Sequence, residues 1–240
     1  MNFNMRIFQP GMMPMSTPDK REWIVIGVMY FLLIAGGLWH ALGLFQTLMR
    51  ILAAPMLMAL SLLVVGASLR RIDQPQARML FILWGLFVFI ASIAIEWLGV
   101  TTGKIFGEYH YSESLQPLLF GVPVAIGFAW LCMLLTSTAV AQKISGRNWR
   151  THYFVRAAII AALMVLFDGV MEAAVLKTGY WIWSGNSIPV QNYAAWYVIS
   201  YGFALAGTRF NIMDVKYPAI VFHAYFAQIL FFGLTVFKHN

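Results

Sequence analysis

Charged residues are scarce in this sequence, and their scarcity excludes a class of protein. Only 10% of the 240 residues are Asp, Glu, Lys or Arg, whereas 61% are hydrophobic. Such a composition excludes an ordinary soluble domain and indicates an integral membrane protein. The net charge of +7 does not indicate a nucleic-acid-binding face, because the basic residues lie in short loops between apolar runs, where they report membrane topology.

Cysteine is nearly absent as well. The single Cys132 lies inside an apolar run, so the sequence excludes an intrachain disulfide and a cysteine metal cluster. No two histidines have the spacing of a local metal site such as His-x-x-x-His. We therefore expect no metal centre, and we expect Cys132 to be a packing residue.

The long apolar runs predict an all-α membrane protein. Residues 1–22 have no apolar core of signal-peptide length, and their mixture of Met, Phe and Pro predicts an irregular arm on the membrane surface. Residues 23–240 are predicted to form one membrane domain, because seven runs each supply most of the roughly 20 apolar residues that a spanning helix needs. The predicted spans are 23–45, 51–69, 79–98, 118–141, 153–176, 192–207 and 218–237.

Lys and Arg are unevenly divided between the two sides of this topology. Twelve fall in the N-terminal arm and the second, fourth and sixth loops, and four fall on the other side. The positive-inside bias predicts a cytoplasmic N-terminus in the inner (plasma) membrane. Three acidic residues, Glu96, Asp168 and Glu172, then lie in the outer halves of their helices.

Two stretches of the chain repeat the same order of residue types. The first carries, in order, Glu96, Gly103, Tyr109, Tyr111, Pro123 and Trp130. The second carries Glu172, Gly179, Trp181, Trp183, Pro189 and Trp196. The Glu-to-Gly and Pro-to-Trp spacings are seven residues in both. The pattern predicts an internal duplication, with helices three and four related to five and six by an axis along the membrane normal.

The intramembrane acids are candidate catalytic groups. A charged side chain at the centre of a membrane helix costs about 2.5–3.5 kcal/mol on insertion scales, and such residues usually face a functional cavity. Asp168 and Glu172 are four residues apart and share a helix face. A buried carboxyl that keeps its proton among aromatic rings is a proton donor. The alternative is that these acids cap helix ends or pair with Lys104 and Lys177.

The aromatic residues near the predicted outer interface leave two interpretations open. Trp and Tyr are enriched at the interfaces of ordinary membrane proteins. Alternatively, some of them line a slot for a long apolar ligand and stabilise a cation through their faces.

Both stretches match motifs of a known family. The first stretch contains Glu96-Trp97-x-Gly99-x-x-Thr102-Gly103, then Phe106-Gly107-x-Tyr109-x-Tyr111, Gly121-Val122-Pro123 and Trp130. In these residues it resembles the membrane carotenoid hydratases of the CruF type, which are carotenoid biosynthesis proteins. The second stretch contains Asp168, Gly179-x-Trp181-x-Trp183 and Ile188-Pro189-Val190-x-Asn192-Tyr193-x-x-Trp196. These residues resemble the second motif block of that family. The resemblance covers about residues 79–201. Gly169 stands where the family pattern has a proline, and Gln191 enters the usual proline-to-asparagine stretch.

The resemblance implies a carotenoid 1,2-hydratase, a hydro-lyase that adds water across the terminal C1,2 double bond of an acyclic carotenoid without a redox cofactor. Such a reaction requires protonation to a tertiary cation and capture of the cation by water. We expect Asp168 or Glu96 to donate the proton and Glu172 to be its partner or to position the water. We expect the end-group pocket to be formed by Tyr109, Tyr111, Trp181, Trp183 and Trp196, with Asn192 orienting the water.

Two other classes stay open at this stage. A carotenoid cyclase or isomerase begins with the same protonation but loses a proton, so the mass of its isoprenoid product is unchanged. A non-enzymatic carotenoid-binding or transport protein leaves the pigment unmodified.

Overall fold

The computed structural model describes residues 18–146, 149, 152–185 and 187–237. In these residues the chain forms seven α-helices, which are α1 (Lys20–Ala41), α2 (Gln46–Leu69), α3 (Pro75–Thr102), α4 (Val124–Ser145), α5 (Tyr153–Thr178), α6 (Val190–Arg209) and α7 (Ala219–Val236). There are also a 3-10 helix (Glu113–Leu115) and four short strands, which are β1 (Tyr109–Tyr111), β2 (Leu118–Leu119), β3 (Val122–Pro123) and β4 (Trp181–Trp183). The predicted arm lies outside the described residues except for 18–22.

Six of these helices, α1 to α5 and α7, are long and apolar enough to cross a membrane. The all-helical membrane architecture predicted from composition is therefore confirmed. The α6 helix is not among the six. Polar residues at its two ends, Gln191, Asn192 and Arg209, reduce its apolar character.

The fourth helix begins later than the sequence predicts. Hydropathy places its start at residue 118, but Leu118 and Leu119 pair with Pro123 and Val122 in a two-stranded hairpin. Helix α4 begins at Val124, directly after Pro123. Proline fits at a helix start because its missing N–H is not needed there, whereas inside the helix it would break the hydrogen-bond ladder. The predicted boundary was wrong because the hairpin is as apolar as the helix.

The two stretches that share a sequence pattern also share local structure. Helices α3 and α5 both end at a left-handed glycine, Gly103 with φ 65° and Gly179 with φ 68°. Each glycine donates its N–H over 2.8 Å to a carbonyl four residues earlier, as is common at helix C-termini. A short strand follows each glycine, and a proline precedes each of α4 and α6. The helix ends, the strand after each glycine and the proline before the next helix therefore correspond, whereas the 3-10 helix Glu113–Leu115 and the β2–β3 hairpin occur only in the first stretch.

Strands β1 and β4 pair with each other in antiparallel fashion. Tyr109 lies opposite Trp183, and Tyr111 lies opposite Trp181. The ladder is extended by the N–H of Ser112, which donates to the carbonyl of Tyr180 over 3.0 Å. The pairing joins the segments that follow α3 and α5 at one end of the bundle.

Helix α4 is the best-covered candidate span, since 83% of its apolar window is buried. Around it, α2 packs against α4, α5 packs against α6 and α7, and α1 packs mainly against α7. The close approach of α1 to α7 occurs at Gly37, where an added Cβ would lie 3.0 Å from the carbonyl oxygen of Phe231. Small residues allow such approaches between membrane helices.

A partly buried ion pair lies at the end of the bundle away from β1 and β4. Arg156 Nη1 is 2.5 Å from Asp214 Oδ1, and Arg156 Nη2 donates to the carbonyl of Thr208 over 2.9 Å. Trp149 Nε1 also donates to Asp214, over 3.2 Å. These contacts tie the start of α5 to the segment between α6 and α7.

Candidate active site

Glu96 lies near the C-terminal end of α3 and is 4% exposed. Its Oε2 accepts hydrogen bonds from the hydroxyls of Tyr109 and Tyr111, the latter over 2.9 Å. Its Oε1 accepts from Trp130 Nε1 over 3.0 Å. Three donors from β1 and α4 therefore fix both carboxyl oxygens of one side chain.

The two tyrosines of β1 remain hydroxyl donors. Burial, and then the adjacent Glu96 carboxylate, raise the pKa of Tyr109 and Tyr111 far above the ordinary tyrosine value. Both phenols therefore keep their protons at physiological pH and can donate to Glu96.

Glu172 occupies the corresponding position on α5 and is 2% exposed. Its Oε2 accepts from Trp183 Nε1 over 2.8 Å and from Trp181 Nε1 over 3.3 Å. An indole N–H can only donate, so this oxygen must be an acceptor. In the described part of the chain, Oε1 makes no hydrogen bond. Glu172 is thus held through one oxygen, whereas Glu96 is held through both.

Asp168 lies four residues before Glu172 on α5 and is fully buried. Its Oδ2 accepts from Asn192 Nδ2 over 2.9 Å, and its Oδ1 has no hydrogen-bond partner among the described residues. The first stretch has Ser92 four residues before Glu96, and it has Ile126 where the second has Asn192. The Asp–Asn pair therefore breaks the correspondence between the two stretches.

No Lys or Arg within the described ranges pairs with these three acids. The ion pairs there join Arg71 to Glu22 and Arg156 to Asp214. Lys104, one of the two partners that the sequence left open, forms no ion pair with these acids within the described ranges. The described residues also contain no group of three or more His, Cys, Asp or Glu side chains that could hold a metal ion.

One cavity of about 230 Å³ is lined by both Glu96 and Glu172. The residues predicted to surround the end group also line it: Tyr109, Tyr111, Trp181, Trp183, Asn192 and Trp196. Asp168 does not line the cavity, but its hydrogen-bond partner Asn192 does. The structure therefore gathers the predicted set around one space, with one acid set back from it.

Several residues that line or support the cavity were not predicted as site residues. The ring of Trp130 forms part of the lining and stacks on Trp196. Tyr180 lines the cavity, and its hydroxyl is 3.1 Å from Nε2 of His40 on α1. The sequence signal for Trp130 was its correspondence with Trp196. Nothing in the pattern singled out the apolar lining residues of α1, α2 and α7.

Comparisons with known proteins agree with the sequence motifs. A family model described as "Carotenoid biosynthesis protein" matches residues 45–237. The chain is also similar to the bisanhydrobacterioruberin hydratase of Haloarcula japonica, with 28% identity over 161 residues. The alignment covers 62% of this chain and 54% of that protein, so the chain spans about half the length of this relative. No solved structure matches the chain.

Proposed function

Because the chain belongs to the carotenoid biosynthesis protein family, we propose that it is a hydratase that adds water across the terminal C1,2 double bond of an acyclic carotenoid. The observation that carries this proposal is the cavity that is lined by Glu96, Glu172 and several aromatic side chains. Neither glutamate forms an ion pair with a Lys or Arg of the described residues. The name of the Haloarcula japonica relative, bisanhydrobacterioruberin hydratase, supports a hydration reaction.

The proposed reaction has two steps that balance without an oxidant or reductant. A carboxyl proton is transferred to C2, the electron pair of the C1=C2 bond forms the new C–H bond, and a tertiary cation is left at C1. A water oxygen then donates a lone pair to C1, and the proton that it loses returns to a carboxylate. The sum is one substrate plus one water giving a tertiary alcohol, with the acid and base regenerated.

We assign the proton donor to the Asp168–Glu172 pair, with Glu172 as the member that faces the substrate. Glu172 lines the cavity, and its Oε1 makes no hydrogen bond within the described residues. Asp168 lies one turn away on the same helix face and is proposed to return a proton to Glu172. This assignment differs from the sequence expectation, which placed the donor at Asp168 or Glu96.

Glu96 is better suited to remain a carboxylate. Its two oxygens accept three hydrogen bonds from Tyr109, Tyr111 and Trp130, and hydrogen bonds to a carboxylate favour its ionised form. A fixed negative charge near C1 would stabilise the cation. The proton that the attacking water releases is proposed to return to the Asp168–Glu172 pair, which regenerates the donor.

The aromatic walls and Asn192 complete the proposed site. A cation over the face of an aromatic ring gains about 0.5–2 kcal/mol, most at desolvated sites, and Trp181, Trp183 and Trp196 line the cavity. Asn192 donates its amide to Asp168. Its carbonyl oxygen makes no hydrogen bond inside the described ranges and is proposed to orient the attacking water.

We also propose a membrane arrangement for this site. The bundle spans the membrane seven times, with α6 as the seventh span shielded by α5 and with α3–α4 and α5–α6 as a parallel repeat. The site lies in the outer half of the plasma membrane. Labelling with a membrane-impermeant maleimide tests the orientation: His110→Cys, exposed on β1, should react in intact cells, and Asp73→Cys, exposed between α2 and α3, only after lysis.

Pigment analysis tests the reaction. The protein is expressed in a lycopene-accumulating bacterium and, after purification, incubated with bisanhydrobacterioruberin, and the products are analysed by mass. We expect the mass of one or two waters to be gained, and this gain to be lost in Glu172→Gln and Asp168→Asn but kept in Glu113→Gln, which changes an exposed acid.

Two other results would contradict the proposal. A product of unchanged mass would identify a cyclase or isomerase. Unmodified pigment with both substrates, from protein shown to be folded in the membrane, would identify a carotenoid-binding or transport protein.

A further inference from the structure

Helices α1 and α2 leave a slot between them at the end of the bundle where the acids lie. Each packs mainly on a different neighbour, α1 on α7 and α2 on α4. The cavity extends into the space between them, where its lining includes Leu32, Leu33 and Gly36 of α1 and Ala53, Met56 and Leu57 of α2. None of these side chains has a polar group, so the slot suits a hydrocarbon and not water or an ion.

The slot extends along several turns of α2. Its lining on α2 runs from Met49 to Leu60, which at the helical rise of 1.5 Å per residue is about 16 Å. This is roughly half of the ~30 Å hydrocarbon core of a bilayer. The cavity volume of about 230 Å³ is below the roughly 300–1,000 Å³ of sites that enclose a drug-sized ligand. A long extended ligand that enters this cavity must therefore leave it at one end.

The exit is visible in the exposure of two lining residues. Leu32 and Met56 line the cavity and yet are 46% and 37% exposed, so each borders both the cavity and the outer surface of the bundle. Phe31 on α1 and Ile51 on α2 are also largely exposed, so the outer surface of both helices is apolar. On a membrane protein such a surface faces lipid chains. The slot therefore opens sideways into the bilayer.

We propose that this slot is the binding subsite and lateral entrance for the polyene chain of the substrate. The end group lies at Glu172, and the remainder of the chain passes between α1 and α2 into the bilayer. The identity of the occupant rests on the proposed function, whereas the slot itself rests on the geometry. Ala53 and Leu32, on opposite sides of the slot, then determine whether a long substrate binds.

The test measures bound pigment, which does not depend on turnover. Proteins carrying Glu172→Gln are purified from a lycopene-accumulating host, and the pigment retained per protein is measured. Adding Ala53→Trp or Leu32→Trp should reduce retained pigment by at least about ten-fold, because a large side chain overfills the slot. The matched controls are Ala59→Trp on α2 and Val28→Trp on α1, which are exposed and do not line the cavity, and they should retain the full amount.

Ala53→Trp and Leu32→Trp lie on different helices, so a folding defect in one variant does not remove the test. The unfolding midpoint of each variant is compared with that of its control on the same helix. Equal retention by slot and control variants would overturn the proposal. The proposal would also be overturned if none of the proteins retained pigment. It would be overturned as well if the slot variants lost only bound phospholipid, because the slot would then bind a lipid acyl chain.

Hydration, measured in parallel without Glu172→Gln, separates this proposal from the proposed function. If the slot variants retain less pigment than their controls but the unmodified protein never hydrates pigment, the proposed hydratase function is rejected and the proposed binding slot is kept. Normal hydration of lycopene by Ala53→Trp and Leu32→Trp would reject the slot and keep the hydratase.

Discussion

The indole rings of Trp130 and Trp196 stack on each other, with their centroids 4.1 Å apart and their planes 13° from parallel. One ring comes from α4 and the other from α6, at corresponding positions of the two stretches. Their hydrogen bonding differs. Trp130 donates to Glu96 over 3.0 Å, whereas Trp196 Nε1 has no hydrogen bond within the part of the chain that the structure describes. Substitutions at these two positions can therefore compare the contribution of the indole ring to stability with that of its N–H.

Replacing each tryptophan by phenylalanine should destabilise the protein to different extents. Trp130→Phe keeps a ring in the stack but leaves Glu96 Oε1 without its donor, which costs about 1–3 kcal/mol for a buried polar group. Trp196→Phe removes ring area but no hydrogen bond. The free energy of unfolding in detergent should therefore fall more for Trp130→Phe, and equal losses would show that the hydrogen bond to Glu96 contributes little.

Alkaline pH should destabilise the protein through Tyr109 and Tyr111. Their pKa is raised in the folded state, first by burial and then by Glu96, whereas in the unfolded chain they ionise near pH 10. The stability that they contribute is complete below about pH 10 and is lost as the pH rises towards their folded values, because the unfolded state then binds fewer protons.

The measurement is the unfolding midpoint between about pH 8 and pH 11. Its decline with pH should be shallower in the Tyr109→Phe/Tyr111→Phe double variant than in the unmodified protein. Tyr197→Phe, which changes a tyrosine that is 39% exposed, should keep the original slope. A double variant with an undiminished slope would contradict the prediction.

Two glycines should respond in opposite directions to alanine. Gly107 has φ 109°, and an added Cβ would lie 2.6 Å from Cγ of Pro189, so Gly107→Ala combines backbone strain with a clash and should cost at least about 2 kcal/mol. Gly169 lies inside α5 with no atom within 4 Å of an added Cβ, and Gly169→Ala should stabilise by up to about 1 kcal/mol. The unfolding midpoints of the two variants check both signs, and a stable Gly107→Ala protein would contradict the close contact.

The ion pair between Arg156 and Asp214 should be important for stability but not for the reaction. The side chain of Arg156 is 8% exposed and that of Asp214 is 24% exposed. Arg156→Met leaves a mostly buried carboxylate unpaired, which costs about 3–5 kcal/mol in a buried pair, and the partial exposure of Asp214 favours the lower end. Since the pair lies away from the cavity, the fraction of protein that is folded should keep its activity.

Arg71 provides the matched control for this ion pair. It lies 3.8 Å from Glu22 and is 37% exposed, and exposed pairs contribute about 0–1 kcal/mol. Arg71→Met should therefore change the free energy of unfolding by less than about 1 kcal/mol. A comparable loss in the two variants would show that burial does not distinguish the two pairs.

Polar residues could be placed from the sequence because they are rare in it. In an apolar chain Glu96, Asp168 and Glu172 stand out individually, and the shared spacings relate two of them to particular aromatic residues. The pattern therefore predicted part of the lining of one cavity, namely Glu96, Glu172, Asn192 and the aromatic residues Tyr109, Tyr111, Trp181, Trp183 and Trp196. It did not predict their hydrogen bonds, because residue spacing does not give the side-chain directions by which β1 donates to Glu96 and β4 donates to Glu172.

The sequence does not distinguish apolar residues that line the cavity from apolar residues on the outer surface. Ala53 lines the slot and Ala59 faces outward on the same helix, yet hydropathy is the same for both. The start of α4 was misplaced for a related reason: Leu118 and Leu119 are as apolar as the helix that follows, and only Pro123 marks the boundary. In a membrane protein the core and the surface have similar composition, so packing between apolar helices leaves little trace in the sequence.

The ladder between β1 and β4 also limits how the protein can move. It joins the two helix pairs by backbone hydrogen bonds at the end of the bundle where Glu96 and Glu172 lie. A protein that carried cargo by rocking one half against the other would have to open this ladder in every cycle. The ladder therefore links the segments that follow Glu96 and Glu172, and the proposed lateral entry of pigment between α1 and α2 does not require this ladder to open.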